Sequence, residues 1–124
     1  MACKLLLIRH GETVDNVNRI MQGQTPGKLT ENGINQARSL GAELSQKHID
    51  AFVSSDLQRA VDTCVEVAAP HFQGDRHTAL DNIFQTPLLR ERDWGSFTGR
   101  YIPDLKDAKW TPDIETTDAM RQRA

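Results

Sequence analysis

The chain of 124 residues lacks a long apolar run, since the longest such run covers only Leu5–Ile8. A membrane span needs about 20 apolar residues, so we expect no transmembrane segment and no membrane partner. No apolar stretch with a small-residue cleavage site follows Met1, and we therefore expect a cytoplasmic location. The two cysteines, Cys3 and Cys64, form no metal-like pair and lie in apolar patterns, which predicts reduced packing residues.

A strong excess of charge of one sign is also missing. The chain carries 15 Lys and Arg against 17 Asp and Glu, a formal net charge of −2. Without a field of one sign, neither nucleic acid nor an anionic membrane is indicated as a partner. No internal repeat, low-complexity stretch or linker divides the sequence, so residues 1–124 are interpreted as one domain.

The hydrophobic pattern alternates between strand-like and helix-like segments. Strands are predicted over residues 3–9, 49–53 and 80–85, and helices over residues 31–47 and from Leu57 to the stop at Pro70. This order predicts an α/β fold: a doubly wound, mostly parallel sheet with helices on both faces. Shorter helices are predicted over residues 101–109 and from residue 115 to 123.

Two helix starts carry capping signals. Thr30 stands where the first long helix begins, and Ser55 and Gln58 have the spacing of a capping box at the start of the next. Arg59 then falls in the first turn of that helix. Free N–H groups and partial positive charge at a helix start favour anions, so Arg59 is expected beside an anion site.

The first predicted strand ends abruptly at Arg9, His10 and Gly11. In open α/β sheets, ligands bind beyond the carboxyl ends of the strands. A histidine there could serve as base, metal ligand or nucleophile, but the adjacent arginine would repel a cation and suits a phosphate or carboxylate. The first hypothesis is therefore phosphate chemistry on His10.

Three stretches point to the same edge of the sheet, since Arg59 follows the second strand and Glu91 follows the third. Two arginines could hold a phosphoryl group while His10 attacks it and a carboxyl group protonates the departing oxygen. The cations would also favour the neutral form of His10, which is the nucleophile. No metal and no cofactor is required, because Arg9 and Arg59 neutralise the charge.

Several motifs, in order along nearly the whole chain, resemble those of the histidine phosphatase superfamily, also called the phosphoglycerate mutase-like family. The matching stretches are residues 7–13 (LIRHGET) with Asn16, 22–23, 29–33 and 36–37, 54–60 (SSDLQRA) with Thr63, 89–91 with Gly95 and Gly99, and, more weakly, Glu115 with Arg123. The resemblance implies a phosphoglycerate mutase-like fold and a phosphohistidine intermediate.

By that resemblance, His10 would accept the phosphoryl group and Glu91 would be the general acid and base. Arg9, Asn16 and Arg59 would bind the phosphate. Simpler interpretations stand beside these roles. Asn16 is also suited to capping a helix, and Glu91 could form solvated ion pairs within the charged run of residues 90–93. The aromatic residues after it could line a substrate mouth or pack the loop: Trp94, Phe97, Tyr101 and Trp110.

The sequence departs from the family in one respect. Family members ordinarily carry a later apolar strand closed by a His-Gly pair, whose histidine completes the phosphate pocket. The remaining histidines, His48, His71 and His77, neither follow an apolar strand nor precede a glycine. The chain is therefore expected to be either a truncated form that lacks the C-terminal part of the fold, which is the favoured interpretation, or a shortened relative with weakened catalysis. Turnover is expected to be weak or absent.

The leading functional hypothesis is a phosphomonoester hydrolase that acts on a small phosphorylated metabolite. One alternative is phosphoglycerate mutase-type transfer to a different hydroxyl, and another is a catalytically weak phosphate-binding or regulatory module. An uncovered sheet edge would favour self-association.

Overall fold

The computed structural model describes residues 2–124. Within them, two short parallel strands, β1 (Phe52–Ser55) and β2 (Ile83–Thr86), are paired in register from Phe52 with Ile83 to Ser55 with Thr86. The α-helices are α1 (Val14–Asn18), α2 (Glu31–Leu44), α3 (Gln58–Ala68), α4 (Arg76–Asp81) and α5 (Thr117–Arg123). Four short 3₁₀ helices cover Ala69–Phe72, Pro87–Leu89, Gly95–Phe97 and Ile102–Leu105.

One apolar core lies between the sheet and helices α3 and α4. Ile83 packs with Ala68, Ala69 and Ala79, and Phe52 lies against this cluster. The alternating side chains of paired strands explain this arrangement, since Phe52 and Ile83 are register partners and face the same side. The α/β class and the parallel pairing are thus confirmed. The other side of the sheet is not covered by a helix in residues 2–124, and Val53 and Phe84 there are 50% and 67% exposed.

The predicted strand over residues 3–9 is wrong for this structure. Residues 2–10 belong to no helix or strand, and Leu5 and Leu7 are 74% and 87% exposed. A buried parallel strand needs neighbours for its backbone hydrogen bonds and a cover for both faces. No strand among residues 2–124 supplies that pairing. Cys3 is exposed as well, so the prediction that it packs inside the protein is wrong. Cys64 is half-buried, which agrees with that prediction.

Helix α2 begins as predicted, with the Thr30 side chain accepting the Gly33 N–H. It ends at Leu44, three residues before the predicted end, in a turn closed by a bond from the Lys47 N–H to the Leu44 carbonyl. The structure explains why residue 33 in this helix is a glycine. A Cβ atom at Gly33 would lie 2.1 Å from the Glu12 carbonyl oxygen, so only glycine lets the helix approach the segment after His10 this closely.

Other boundaries differ by a few residues. Helix α3 has Leu57 as N-cap with no side-chain capping bond, so the predicted capping box is wrong. The Ser55 hydroxyl instead accepts the Leu57 N–H at 3.4 Å. Strand β1 begins at Phe52 rather than at residue 49. Strand β2 begins at Ile83 rather than at residue 80, because an Asp75 cap starts helix α4 just before it.

A second apolar cluster organises the C-terminal third of the chain and contains the buried residues Phe97, Leu105 and Ile114. Phe97 therefore packs the loop. The helix predicted over residues 101–109 is a single 3₁₀ turn, and α5 begins at Thr117 under a Thr116 cap. No helix within residues 2–124 combines the length and apolarity that crossing a membrane would demand.

Candidate active site

His10 lies half-buried at the end of the exposed N-terminal segment. Its Nδ1 lies 2.7 Å from the Gly11 carbonyl oxygen. A carbonyl can only accept, so Nδ1 carries the proton and donates it. The lone pair of a neutral ring is then on Nε2, which is the nitrogen available to attack an electrophile.

Thr63 connects His10 to helix α3. The Gly11 N–H donates to the Thr63 hydroxyl at 3.0 Å, and that hydroxyl donates to the Arg59 carbonyl at 2.8 Å. One buried side chain therefore ties the residue after His10 to the turn that carries Arg59. Sequence reasoning gave Thr63 no role. The signal was its spacing, four residues after Arg59, which lies on the same face of a helix.

Arg59 is almost fully buried, with 2% of its surface exposed. Its Nη1 and Nη2 donate to the carbonyls of Thr25 and Gly23 at 2.6 and 2.7 Å. The guanidinium thus holds the loop of residues 22–27, and two of its five N–H groups are used in these contacts. Gly27 makes room for it, because a Cβ there would lie 2.9 Å from the Arg59 Cδ.

Charged groups around His10 act on its ionisation. Burial lowers the pKa of His10 most; the hydrogen bond to Gly11 opposes this shift, Arg59 and Arg9 lower the pKa further, and Glu91 raises it. The net pKa lies below the ordinary value of 6.5. Burial likewise lowers the pKa of Arg59, against the influence of Glu91. Arg9, Arg59 and Glu91 therefore lie within electrostatic reach of His10, and the net shift favours the neutral imidazole.

Asn16 caps helix α1, which was the simpler interpretation of this residue from the sequence. Its side-chain Oδ1 accepts the Thr13 N–H at 3.0 Å, and its backbone N–H donates to the Thr13 hydroxyl at 3.1 Å. The two bonds form a reciprocal cap at the start of α1. Thr13 is fully buried and also donates to the Oε1 atom of Gln22 at 2.9 Å. Gln22 is a second residue to which sequence reasoning assigned no role, although its block was noted.

Glu91 lies exposed in the loop that follows the 3₁₀ turn after β2. Its Oε1 accepts the Arg92 N–H at 2.7 Å. The charged residues around it do not form the solvated pairs considered from the sequence. Arg90 instead forms a two-bond pair with Asp56 at 2.6 and 2.7 Å.

Arg92 lies against two indole rings that also contact each other. Its guanidinium carbon is 5.4 Å from the Trp94 ring centre and 4.9 Å from that of Trp110, and the rings meet edge to face. These aromatic residues pack around an arginine, and the stacking fixes the loop next to Glu91. Over residues 2–124, no three His, Cys, Asp or Glu side chains form a cluster that could hold a metal ion.

The ionisation of His10 gives a first testable prediction. Arg9→Gln removes a positive charge that lowers the pKa of His10, so the pKa should rise towards 6.5. Less neutral imidazole is then present at a given mildly acidic pH, and the acid limb of any His10 reaction moves to higher pH. A proton NMR titration of the His10 ring measures the pKa directly. Lys4→Gln, in the same exposed segment, is the matched control and should leave the pKa unchanged; an unchanged or lowered pKa in Arg9→Gln contradicts the assignment.

Residues 5–123 match the family model of the histidine phosphatase superfamily, branch 1. The chain belongs to this superfamily.

Individual relatives include both phosphatases and mutases. The chain is 42% identical over 122 residues to Glucosyl-3-phosphoglycerate phosphatase of Mycobacterium tuberculosis, an alignment of 90% of this chain and 52% of that protein. It is 34% identical over 112 residues to 2,3-bisphosphoglycerate-dependent phosphoglycerate mutase of Sinorhizobium fredii, covering 89% of this chain and 50% of that protein.

A solved structure of mycobacterial glucosyl-3-phosphoglycerate phosphatase in complex with VO3 has a TM-score of 0.75 with this chain. The identity is 29%, and the alignment covers 92% of this chain and 59% of that one. This likeness confirms the expected phosphoglycerate mutase-like fold. The alignments cover between 36% and 52% of the length of these and other curated relatives.

Proposed function

We propose that the chain carries the phosphoryl-accepting half of a phosphomonoester hydrolase that acts on a small phosphorylated metabolite. The observation that carries this proposal is the state of His10: its Nδ1 proton is committed to the Gly11 carbonyl, and the surroundings favour the neutral ring. A neutral imidazole with a free Nε2 beside two arginines is suited to attack phosphorus.

In the proposed reaction, Nε2 of His10 forms a bond to phosphorus while the ester P–O bond breaks. Glu91, in its acid form, gives its proton to the departing oxygen, so the alcohol leaves neutral. Water then attacks phosphorus, and the P–N bond breaks with its electron pair returning to Nε2 of His10. Glu91 takes up a proton from the attacking water, and inorganic phosphate leaves. Arg9 and the remaining N–H groups of Arg59 hold the phosphoryl oxygens.

Asn16 contributes the Nδ2 group to the same phosphate in this proposal. Its Oδ1 is held by the Thr13 N–H, which fixes the plane of the amide and therefore the direction of Nδ2. The capping role and the phosphate-binding role use different atoms of one side chain and are compatible.

The second candidate is mutase-type transfer, favoured by the similarity to a phosphoglycerate mutase over 89% of this chain. The two reactions differ in what accepts the phosphoryl group from His10: water in the hydrolase, another hydroxyl of a phosphoglycerate in the mutase.

Product analysis separates the candidates. The chain is incubated with 3-phosphoglycerate and, separately, with an aryl phosphate, and the products are followed by phosphorus NMR. Release of inorganic phosphate from both supports the hydrolase. Appearance of 2-phosphoglycerate without phosphate release supports the mutase, and phosphate binding without either product contradicts both.

A cytoplasmic location fits a small phosphorylated substrate and remains part of the proposal. Self-association through an uncovered sheet edge also stays a prediction, which sedimentation at increasing concentration checks.

A further inference from the structure

We propose that Arg123 and Glu115, with Gln24, are positioning residues that hold the backbone of Glu91 in place for proton transfer. The inference rests on the proposed role of Glu91 as the acid. We call these three residues the Glu91 clasp. The loop of residues 90–94 lies in no helix or strand, so its position depends on such contacts.

Arg123 binds the loop from helix α5. Its Nη1 donates to the Leu88 carbonyl at 2.7 Å, and its Nη2 donates to the Glu91 carbonyl at 3.1 Å. The same guanidinium forms a two-bond pair with Glu115, at 2.6 and 2.9 Å. Planar guanidinium geometry makes such fork-shaped contacts directional.

Glu115 binds the other end of the loop. Its Oε1 accepts the Asp93 N–H at 3.0 Å, and its backbone N–H donates to the Asp93 carbonyl at 2.8 Å. The side chains of Glu115 and Arg123 are only 15% and 19% exposed. An ion pair this sheltered differs from the weak surface pairs that contribute little. The pair therefore holds the chain on both sides of Glu91.

Gln24 connects the loop of residues 90–94 to Arg59, the arginine proposed to bind phosphate. Its Nε2 donates to the Glu91 carbonyl at 3.1 Å. The residues on either side of it, Gly23 and Thr25, are the two whose carbonyls Arg59 binds. The Glu91 backbone is thus linked through one side chain to the loop that Arg59 holds, which keeps the acid at a set distance from the phosphoryl site.

An acid matters most when the leaving group is poor. The test therefore compares single-turnover phosphorylation of His10 by phenyl phosphate, whose leaving group is weakly acidic, with that by 2,4-dinitrophenyl phosphate, whose leaving group needs no proton. Arg123→Gln should lower the rate with phenyl phosphate by about tenfold or more and leave the rate with the dinitrophenyl ester nearly unchanged. Gln24→Met should show the same pattern to a smaller extent and tests the clasp from its other side.

Arg121→Gln is the matched control. Arg121 lies on the same helix, is 78% exposed and reaches Asp118 only at 4.0 Å, so neither rate should change. Amide hydrogen exchange over residues 88–93 is measured in parallel and should be faster in Arg123→Gln but not in Arg121→Gln.

Each outcome decides the matter. If Arg123→Gln lowers the rates with both esters equally, the ratio of the two rates is unchanged, the role is merely structural and the positioning role is wrong. Unchanged amide exchange over residues 88–93 in this variant also contradicts the positioning role. If the unsubstituted chain forms no phosphohistidine from either ester, the proposed function fails first and the positioning role with it. A normal rate in the unsubstituted chain together with an unaltered ratio in both variants overturns the clasp alone.

Discussion

His10→Asn should abolish phosphorylation of the chain by 2,4-dinitrophenyl phosphate. Asparagine keeps a polar side chain of similar reach but has no ring nitrogen with a free lone pair, so the P–N bond cannot form. The measurement is a single-turnover incubation followed by quantification of acid-labile, base-stable phosphoprotein. The expected loss is complete to the detection limit, whereas removal of one charge-stabilising donor typically costs about 10²–10³ in rate.

His48→Asn is the matched control for this experiment. The side chain of His48 is 86% exposed and pairs with Asp50, away from the site. It should leave phosphorylation unchanged. A His10→Asn chain that is phosphorylated at the normal rate would mean that another residue accepts the group.

Arg59→Met should have the second largest effect, on both stability and phosphate affinity. Methionine retains much of the apolar stem but leaves the carbonyls of Gly23 and Thr25 without their buried donor. Leaving buried acceptors unsatisfied costs about 1–3 kcal/mol each, so we expect unfolding in urea to occur at a markedly lower concentration. Affinity for inorganic phosphate, measured by calorimetry, should fall by about tenfold or more, since a charge-assisted contact contributes roughly 1.5–3 kcal/mol.

Arg38→Met provides the comparison for Arg59→Met. Arg38 reaches Glu66 at 3.2 Å with a side chain that is 53% exposed, and exposed pairs contribute about 0–1 kcal/mol. Both urea stability and phosphate affinity should stay near those of the unsubstituted chain. Equal effects of the two substitutions would contradict the special position of Arg59.

The elements that carry their own local signals were predictable from the sequence. Helix α2 follows from the Thr30 cap and the apolar spacing after it, and the parallel pairing of β1 with β2 follows from the alternation of strands and helices. The prediction of a first strand is wrong because a buried strand depends on more than local signals. Residues 3–9 have the composition of a buried strand, but burial depends on neighbours that lie far away in sequence, and residues 2–124 do not provide them.

The candidate site was predictable as a set of residue types but not as a set of contacts. His10, Arg9, Arg59 and Glu91 were named from their places after predicted strands, and Arg9, Arg59 and Glu91 all act on the pKa of His10. The roles given to these residues stay predictions. The contacts of Arg59 were not predictable, because its two carbonyl acceptors, on Thr25 and Gly23, lie 34 and 36 positions away in the sequence.

Thr63 and Gln24 illustrate this difference. Each makes a single side-chain contact across the fold, to the Gly11 N–H and to the Glu91 carbonyl respectively. Neither partner can be identified from a local pattern, although the spacing of Thr63 from Arg59 places both on one face of the helix. The same holds for Arg90, whose partner Asp56 lies 34 positions earlier in the chain.

The most direct test of the account is the position of the phosphoryl group on the His10 ring. The chain is labelled with ¹⁵N-histidine, phosphorylated with 2,4-dinitrophenyl phosphate and examined by NMR for coupling between phosphorus and each ring nitrogen. Because Nδ1 donates its proton to the Gly11 carbonyl at 2.7 Å, the account predicts phosphorus on Nε2 of His10. Phosphorus on Nδ1, or on any other residue, would contradict it.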